Sequence, residues 1–243
     1  MQEFNRKFTS LQTLYLFHHY FLIIFMVSQK YGRTYHFPFS LGTTSDDKIQ
    51  QHWQPILQHE LILTEKLDGE NTCLKTQGVY ARSHAAPTRN PLAGNMWGIW
   101  ERIRFELGTL EIFGENLYGL HSIEYQNLSH HFYVFAVREG EIWLSWEEVK
   151  FYADLLGLPV VPVYQQGFFT ENSLKETIFT GMKNGSAFGD TIEGFVCRNS
   201  NAFHSTQFSQ NILKYVRKNH VQTDEHWTRN WQRAKLWYEY PQP

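Results

Sequence analysis

Three observations predict an α+β fold. Runs of strand type and stretches of helical spacing follow one another without regular βαβ alternation. The strongest run, Phe132 to Val137, is aromatic and β-branched, as a central strand should be. The 243 residues are 42% apolar and 19% charged, enough to bury a sizeable core. A formal net charge of -2 excludes a chain that coats nucleic acid by bulk charge, so any such contact must come from a local patch. Two cysteines, Cys73 and Cys197, exclude a disulfide framework and a four-cysteine zinc site. A cytoplasmic monomer without membrane attachment is the expectation.

Residues 1–28 stand apart as an apolar extension. Leu14 to Val27 is too short for a membrane span and is interrupted by His18 and His19. Arg6 and Lys7 precede it as in a signal peptide, yet no small-x-small cleavage site follows. A packed helix is the favoured reading; a natural start at Met26 is the other.

Ser45-Asp46-Asp47 then predicts a helix start running through Trp53 to about Leu57. Leu61 to Thr64 reads as a buried strand ending at Glu65-Lys66, with Gly78 to Arg82 as its hairpin partner. Pro87 to Gly94 should be loop, and Met96 to Leu107 helix. Leu110 to Phe113 is a strand running into Gly114. Ser145-Trp146-Glu147-Glu148 fits a capping box, whose helix Gly157 ends after Leu156. Asn172 to Met182 reads as helix, and Thr191 to Arg198 and Ile212 to Val216 as strands. Asp224 should cap a final helix with Trp227, Trp231, Ala234 and Tyr238 on one face.

The sharpest local feature is Glu65-Lys66-Leu67-Asp68-Gly69-Glu70-Asn71. Only about one lysine in 2,500 is unprotonated at pH 7. An apolar strand end would desolvate the Lys66 ammonium and lower its pKa, while the adjacent acids would oppose this. Taken alone, the motif reads rather as a surface lysine in an Asp-Gly turn. Further pieces follow in order: Phe113-Gly114-Glu115-Asn116, the aromatic strand, Glu193-Gly194-Phe195-Val196-Cys197-Arg198, and Leu213-Lys214-Tyr215-Val216-Arg217-Lys218.

This ordered set resembles the covalent nucleotidyltransferases, and within them the RNA ligase family related to phage RNA ligase 2. The resemblance runs from about Tyr31 to the C-terminus. It implies one nucleotidyltransferase domain over 29–243, of antiparallel sheets flanked by helices. It implies ATP as co-substrate, Mg²⁺ or Mn²⁺, and RNA with 5′-phosphate and 3′-hydroxyl ends as partner. By the same resemblance Lys66 is the nucleophile, with Asp68 and Gly69 completing its element. Glu65 and Asn71 lie at the nucleotide, Arg82 at nucleotide and RNA end, and Glu115 near the ribose. Phe135 stacks on adenine, Glu193 sits near lysine and metal, and Lys214 meets the α-phosphate. Glu193 and Glu115 are the implied metal ligands.

Two positions depart from the pattern: Ala136 follows the stacking aromatic, and Val216 stands where a second lysine is common, with Arg217 or Lys218 as substitutes. Each residue also has a plainer reading: Phe135 as core, the acids as strand-end surface, Arg82 as a salt-bridge partner, Lys214 as an edge-strand solubiliser. The 29 residues after Lys214 are too few for a C-terminal oligonucleotide-binding (OB) barrel, which favours an RNA ligase over a DNA nick ligase or a guanylyltransferase. A relative that binds nucleic acid without catalysis is the remaining alternative. Six bases between Asn211 and Lys235, near Trp227 and Trp231, form one candidate nucleic-acid surface. Tyr31 to Ser40, with Gly32, Arg33 and His36, forms another.

Overall fold

The computed structural model describes residues 29–218 and 231–241, and the architecture belongs to the unit that begins at Tyr31. The fold is α+β, with two sheets flanked by helices and no closed barrel among the described residues.

The first sheet has five strands: β1 (Tyr35–His36), β2 (Leu61–Lys66), β8 (Val163–Gly167), β9 (Gly194–Asn199) and β11 (Ile212–Val216), in the order β1-β11-β9-β2-β8. Only β1 and β11 run parallel; the other pairs are antiparallel. The second sheet has six: β3 (Glu70–Lys75), β4 (Gly78–Ala81), β5 (Leu110–Asn116), β6 (Phe132–Glu139), β7 (Ile142–Trp143) and β10 (Phe203–His204), in the order β10-β7-β6-β5-β3-β4. Three main helices accompany them: α1 (Gly94–Ile103), α2 (Trp146–Leu155) and α3 (Glu171–Asn184).

Strand alternation sorts the apolar side chains into three cores. Leu61 and Leu63 of β2 meet Leu174 and Ile178 of α3, together with Phe195 and Tyr215. Ile112, Val134 and Val137 of the second sheet meet Met96 and Ile103 of α1 and Val149 and Ala153 of α2. Phe113 and Ala136 meet Trp143, Phe208 and Ile212 in the third core, which joins residues of both sheets. Each fully buried Leu or Ile contributes about 1.5–3 kcal/mol relative to exposure, so Leu61, Ile62 and Leu63, all at 0% exposure, make β2 a firm platform. Cys73 and Cys197 are buried free thiols.

Several expectations hold closely. Strands β2 and β11 lie where the apolar runs place them. Ser145 closes its capping box with Glu148, and Gly157 takes the left-handed conformation after α2. Others need correction. Residues 45–53 form no α-helix; only Gln54–Gln58 winds, as a 3₁₀ turn opened by Pro55. Asp47 turns its carboxylate back on Thr44, accepting from its amide and hydroxyl at 3.0 Å each, so it closes a loop instead of standing as an acid in a helix's first turn. Gly78–Ala81 pairs with Glu70–Lys75 and not with β2. That partner strand is polar at its start, where periodicity gives no strand signal. Helix α1 ends at Ile103, short of Leu107. The expected final helix falls partly on residues 219–230, outside the described residues, as do Asp224, Trp227 and the 1–28 extension. In the described part, Trp231 to Tyr240 is irregular, with one 3₁₀ turn at Trp237–Glu239. Among the described residues no helix is long and apolar enough to cross a membrane.

Gly194 opens β9 so close to β11 that a Cβ there would collide with the carbonyl oxygen of Tyr215. Gly194→Ala should therefore cost about 1–3 kcal/mol through overpacking, read as a lower urea midpoint. An unchanged midpoint would show that the two strands can move apart freely.

Candidate active site

Strand pairing builds the site. Lys66, the last residue of β2, lies opposite Gly194 of β9, which brings Glu193 next to it. Lys214 of β11 lies opposite Val196. Three neighbouring strands thus deliver Lys66, Glu193 and Lys214 to one end of the first sheet. From the second sheet, Asn71 and Glu115 face each other in register across β3 and β5. Between β5 and β6 the register slips by one residue: Phe113 pairs with Ala136 and Gly114 with Val134, so Phe135 has no partner. This β-bulge aims its ring out of the ladder.

All of these groups except Glu193 line one cleft of about 650 Å³, and Glu193 reaches it through Lys66. Lys66, Glu65, Asn71, Arg82, Glu115, Phe135 and Lys214 all line it. Lys66 Nζ donates to both carboxylate oxygens of Glu193 at 2.7 Å, and the lysine side chain keeps 26% exposure. The Gly69 amide donates to Glu115 at 3.1 Å, fixing that acid to the turn after the lysine. Asn71 carries a buried Oδ1 with no hydrogen-bond partner, an acceptor that faces the need for a donor.

Two further hydrogen-bond networks brace the cleft, one from Asp68, which stands outside the lining, and one from Glu65, which is part of it. The Asp68 carboxylate accepts from the Ser122 amide at 2.8 Å, while its own amide donates to the Tyr125 hydroxyl at 2.9 Å. It staples the 121–125 loop to the lysine turn. The Glu65 carboxylate accepts from the Ser186 hydroxyl, and from the Ala187 amide at 2.9 Å. Neither Arg217 nor Lys218 lines the cleft; the Arg217 amide donates to the Glu193 carbonyl at 3.0 Å.

Electrostatics correct one expectation. Burial pulls the Lys66 pKa down, but Glu193, Glu115 and Asp68 together push it above the ordinary lysine value. Lys214 behaves oppositely: burial, with Lys66 and Arg82 nearby, lowers it. Burial pushes Glu115 up to about 8, with Glu193 and Asp68 adding to the rise and Lys66 and the Gly69 amide opposing it. The cleft lining carries both signs of charge, with Asp47, Glu65, Glu70 and Glu115 among Arg33, Lys66, Arg82, Arg198 and Lys214. Carboxylate oxygens are the hard ligands that Mg²⁺ or Mn²⁺ would take. No group of three or more His, Cys, Asp or Glu among the described residues forms a metal cage. Of the two expected metal ligands, Glu193 accepts from Lys66 with both oxygens and Glu115 accepts from the Gly69 amide with one.

Sequence reasoning misses Asp47, His121 and Arg198, which also line the cleft. Asp47 carries the local signature of a helix start, and His121 lies in a loop without periodicity. Arg198 points its guanidinium to the Leu144 carbonyl at 2.7 Å, at a position where an apolar strand would ordinarily carry an aliphatic residue. The expected surface at Tyr31 to Ser40 divides: Tyr31, Gly32, Arg33 and Thr34 line the cleft, whereas His36 is buried behind it.

The family model described as RNA ligase matches residues 59–216. No curated protein matches the chain in sequence. Among solved structures, one from Aquifex aeolicus, assigned as an ATP-dependent DNA ligase, aligns with a TM-score of 0.52 at 18% identity, over 78% of this chain and 50% of that one. An archaeal ATP-dependent RNA ligase aligns at 0.49 with 18% identity, over 78% and 48%. A variant of Naegleria gruberi RNA ligase with ATP and Mn aligns at 0.49 with 17% identity, over 77% and 60%. The chain thus spans about half the length of the first two.

The crowded acids set a pH dependence. Folded Glu115 keeps its proton to about pH 8, whereas the unfolded chain releases it near 4.5. Between those values the folded state binds more protons, so stability falls as pH rises. Glu115→Gln should flatten that fall, measured as urea midpoints at about pH 5 and pH 8. Equal slopes in both proteins would show that Glu115 ionises normally.

Proposed function

The chain belongs to the RNA ligase family, and on that premise we propose that it is an ATP-dependent RNA ligase joining 5′-phosphate and 3′-hydroxyl ends in RNA repair. The observation that carries this reading is the Lys66 amine at the cleft, held by Glu193 with Lys214 one strand further on.

In the first step Lys66 Nζ attacks the α-phosphorus of ATP. The bond to the β-phosphate oxygen breaks, pyrophosphate leaves, and a lysine–AMP phosphoramidate forms. The amine must first lose its proton, and Glu193 at 2.7 Å is within reach to take it. Lys214 and Arg82 meet the charge that gathers on the α-phosphate. Phe135 offers its ring to adenine, and Asn71 supplies its Oδ1 to the bound nucleotide or its hydration. A divalent ion held by Glu193 and Glu115 would screen the phosphates and draw negative charge away from the lysine. The RNA 5′-phosphate then displaces Lys66 to form RNA-adenylate. Finally the 3′-hydroxyl oxygen, giving up its proton, attacks the phosphorus of the RNA 5′-phosphate, the bond to AMP breaks, AMP leaves, and the strand is sealed.

Incubation with α-labelled ATP and Mg²⁺ should give an acid-labile protein–AMP adduct, absent in Lys66→Ala. No adduct in the wild type, or an equal adduct in Lys66→Ala, would overturn the proposal. Sealing should be faster when the 3′-hydroxyl end at a nick is RNA than when it is DNA; the reverse order would make the protein a DNA nick ligase.

A further inference from the structure

The segment from Tyr35 to Asp47 holds Lys214 twice. Its backbone is held where the Phe37 amide donates to the Lys214 carbonyl at 2.9 Å, beside the β1–β11 pairing of His36 with Lys214. Its ammonium is held where Nζ lies 3.6 Å from Asp47 Oδ1. Asp47 is itself clamped. Thr44 donates to Oδ2 through amide and hydroxyl at 3.0 Å each, and His36 Nε2 lies 3.2 Å from Oδ1.

The clamp continues inward. His36 is 1% exposed, and its Nδ1 is 2.8 Å from the Ser40 hydroxyl. Ser40 Oγ accepts in turn from the Val216 amide at 3.0 Å, and the Gly42 amide donates to the Val216 carbonyl at 2.8 Å. A buried imidazole is costly unless its nitrogens are engaged. Here one nitrogen faces the carboxylate that meets Lys214, and the other faces the serine that ties down the strand carrying Lys214. Every link ends on Lys214 or on its strand.

Resting on the ligase reading, we propose that Asp47, clamped by Thr44 and His36, is a positioning residue that holds the Lys214 ammonium at the cleft for the attack of Lys66 on the α-phosphate. Burial would raise the Asp47 pKa, but Thr44, Lys214 and His36 bring it down to about 2, so the carboxylate is charged at any working pH. Lys214 needs such a neighbour, because burial, Lys66 and Arg82 all disfavour its charged form. The isosteric change Asp47→Asn keeps an acceptor for Thr44 and removes the charge that fixes the ammonium.

The test is single-turnover formation of the lysine–AMP adduct in wild type, Asp47→Asn, Lys214→Ala and the double variant, with α-labelled ATP and Mg²⁺. Asp47→Asn should slow the step about 10- to 100-fold, with the KM for ATP within about twofold of wild type and no added loss in the Lys214→Ala background. A wild-type rate in Asp47→Asn, or losses that multiply in the double variant, would overturn the inference. If Asp47→Asn unfolds, Thr44→Val takes its place: it keeps the charge, loosens the clamp and should slow the step more weakly, whereas a wild-type rate would again overturn it. A wild type that forms no adduct would instead sink the ligase reading itself.

Discussion

One ammonium held against one carboxylate across two adjacent strands organises the cleft. The pairing of β2 with β9 sets Lys66 beside Glu193, although the two residues are 127 positions apart in sequence. The strand ends are fixed by what lies behind them. Leu61 and Leu63 are buried in one core and Ile62 in another, so a one-residue slip of β2 would swap its two faces and mispack both cores. Gly194 lets β9 approach β11 closely. The position of the amine is therefore a property of the sheet and not of a loop.

That rigidity contrasts with the electrostatics. Glu193, Glu115 and Asp68 surround Lys66 and keep its proton on. The resting protein is thus poised for a charged ligand and not for immediate attack. Two of these acids also brace the backbone, since Glu115 fixes the Gly69 turn and Asp68 fixes the 121–125 loop. Changing either would alter geometry and charge together, so conservative amide replacements separate the two effects better than alanine does.

Much of this is legible in the sequence where a local rule applies. Unbroken apolar runs locate β2 and β11, and the Ser145–Glu148 box locates the start of α2. The order of motifs names Lys66, Glu115, Phe135 and Lys214, which the fold brings to one cleft. What stays hidden depends on distant partners. Glu70-Asn71-Thr72 carries no apolar alternation because it serves the cleft, so β3 leaves no strand signal. Asp47 looks like a first-turn helix acid behind Ser45, and its tie to Lys214 stays hidden because it spans 167 residues of chain. The direction of the Lys66 shift depends on Glu193 and Glu115, whose approach no local pattern encodes.

The bulge at Phe135 has a consequence for how β6 tolerates change. The strand keeps one register from Phe132 to Val134 and another from Ala136 to Glu139. Deleting a single residue there would let the ladder close without interruption, restoring regular hydrogen bonding along β5. The same deletion would withdraw the aromatic wall from the cavity. Here a more regular sheet and an aromatic wall for the cleft are competing outcomes, and the extra residue is the compromise between them.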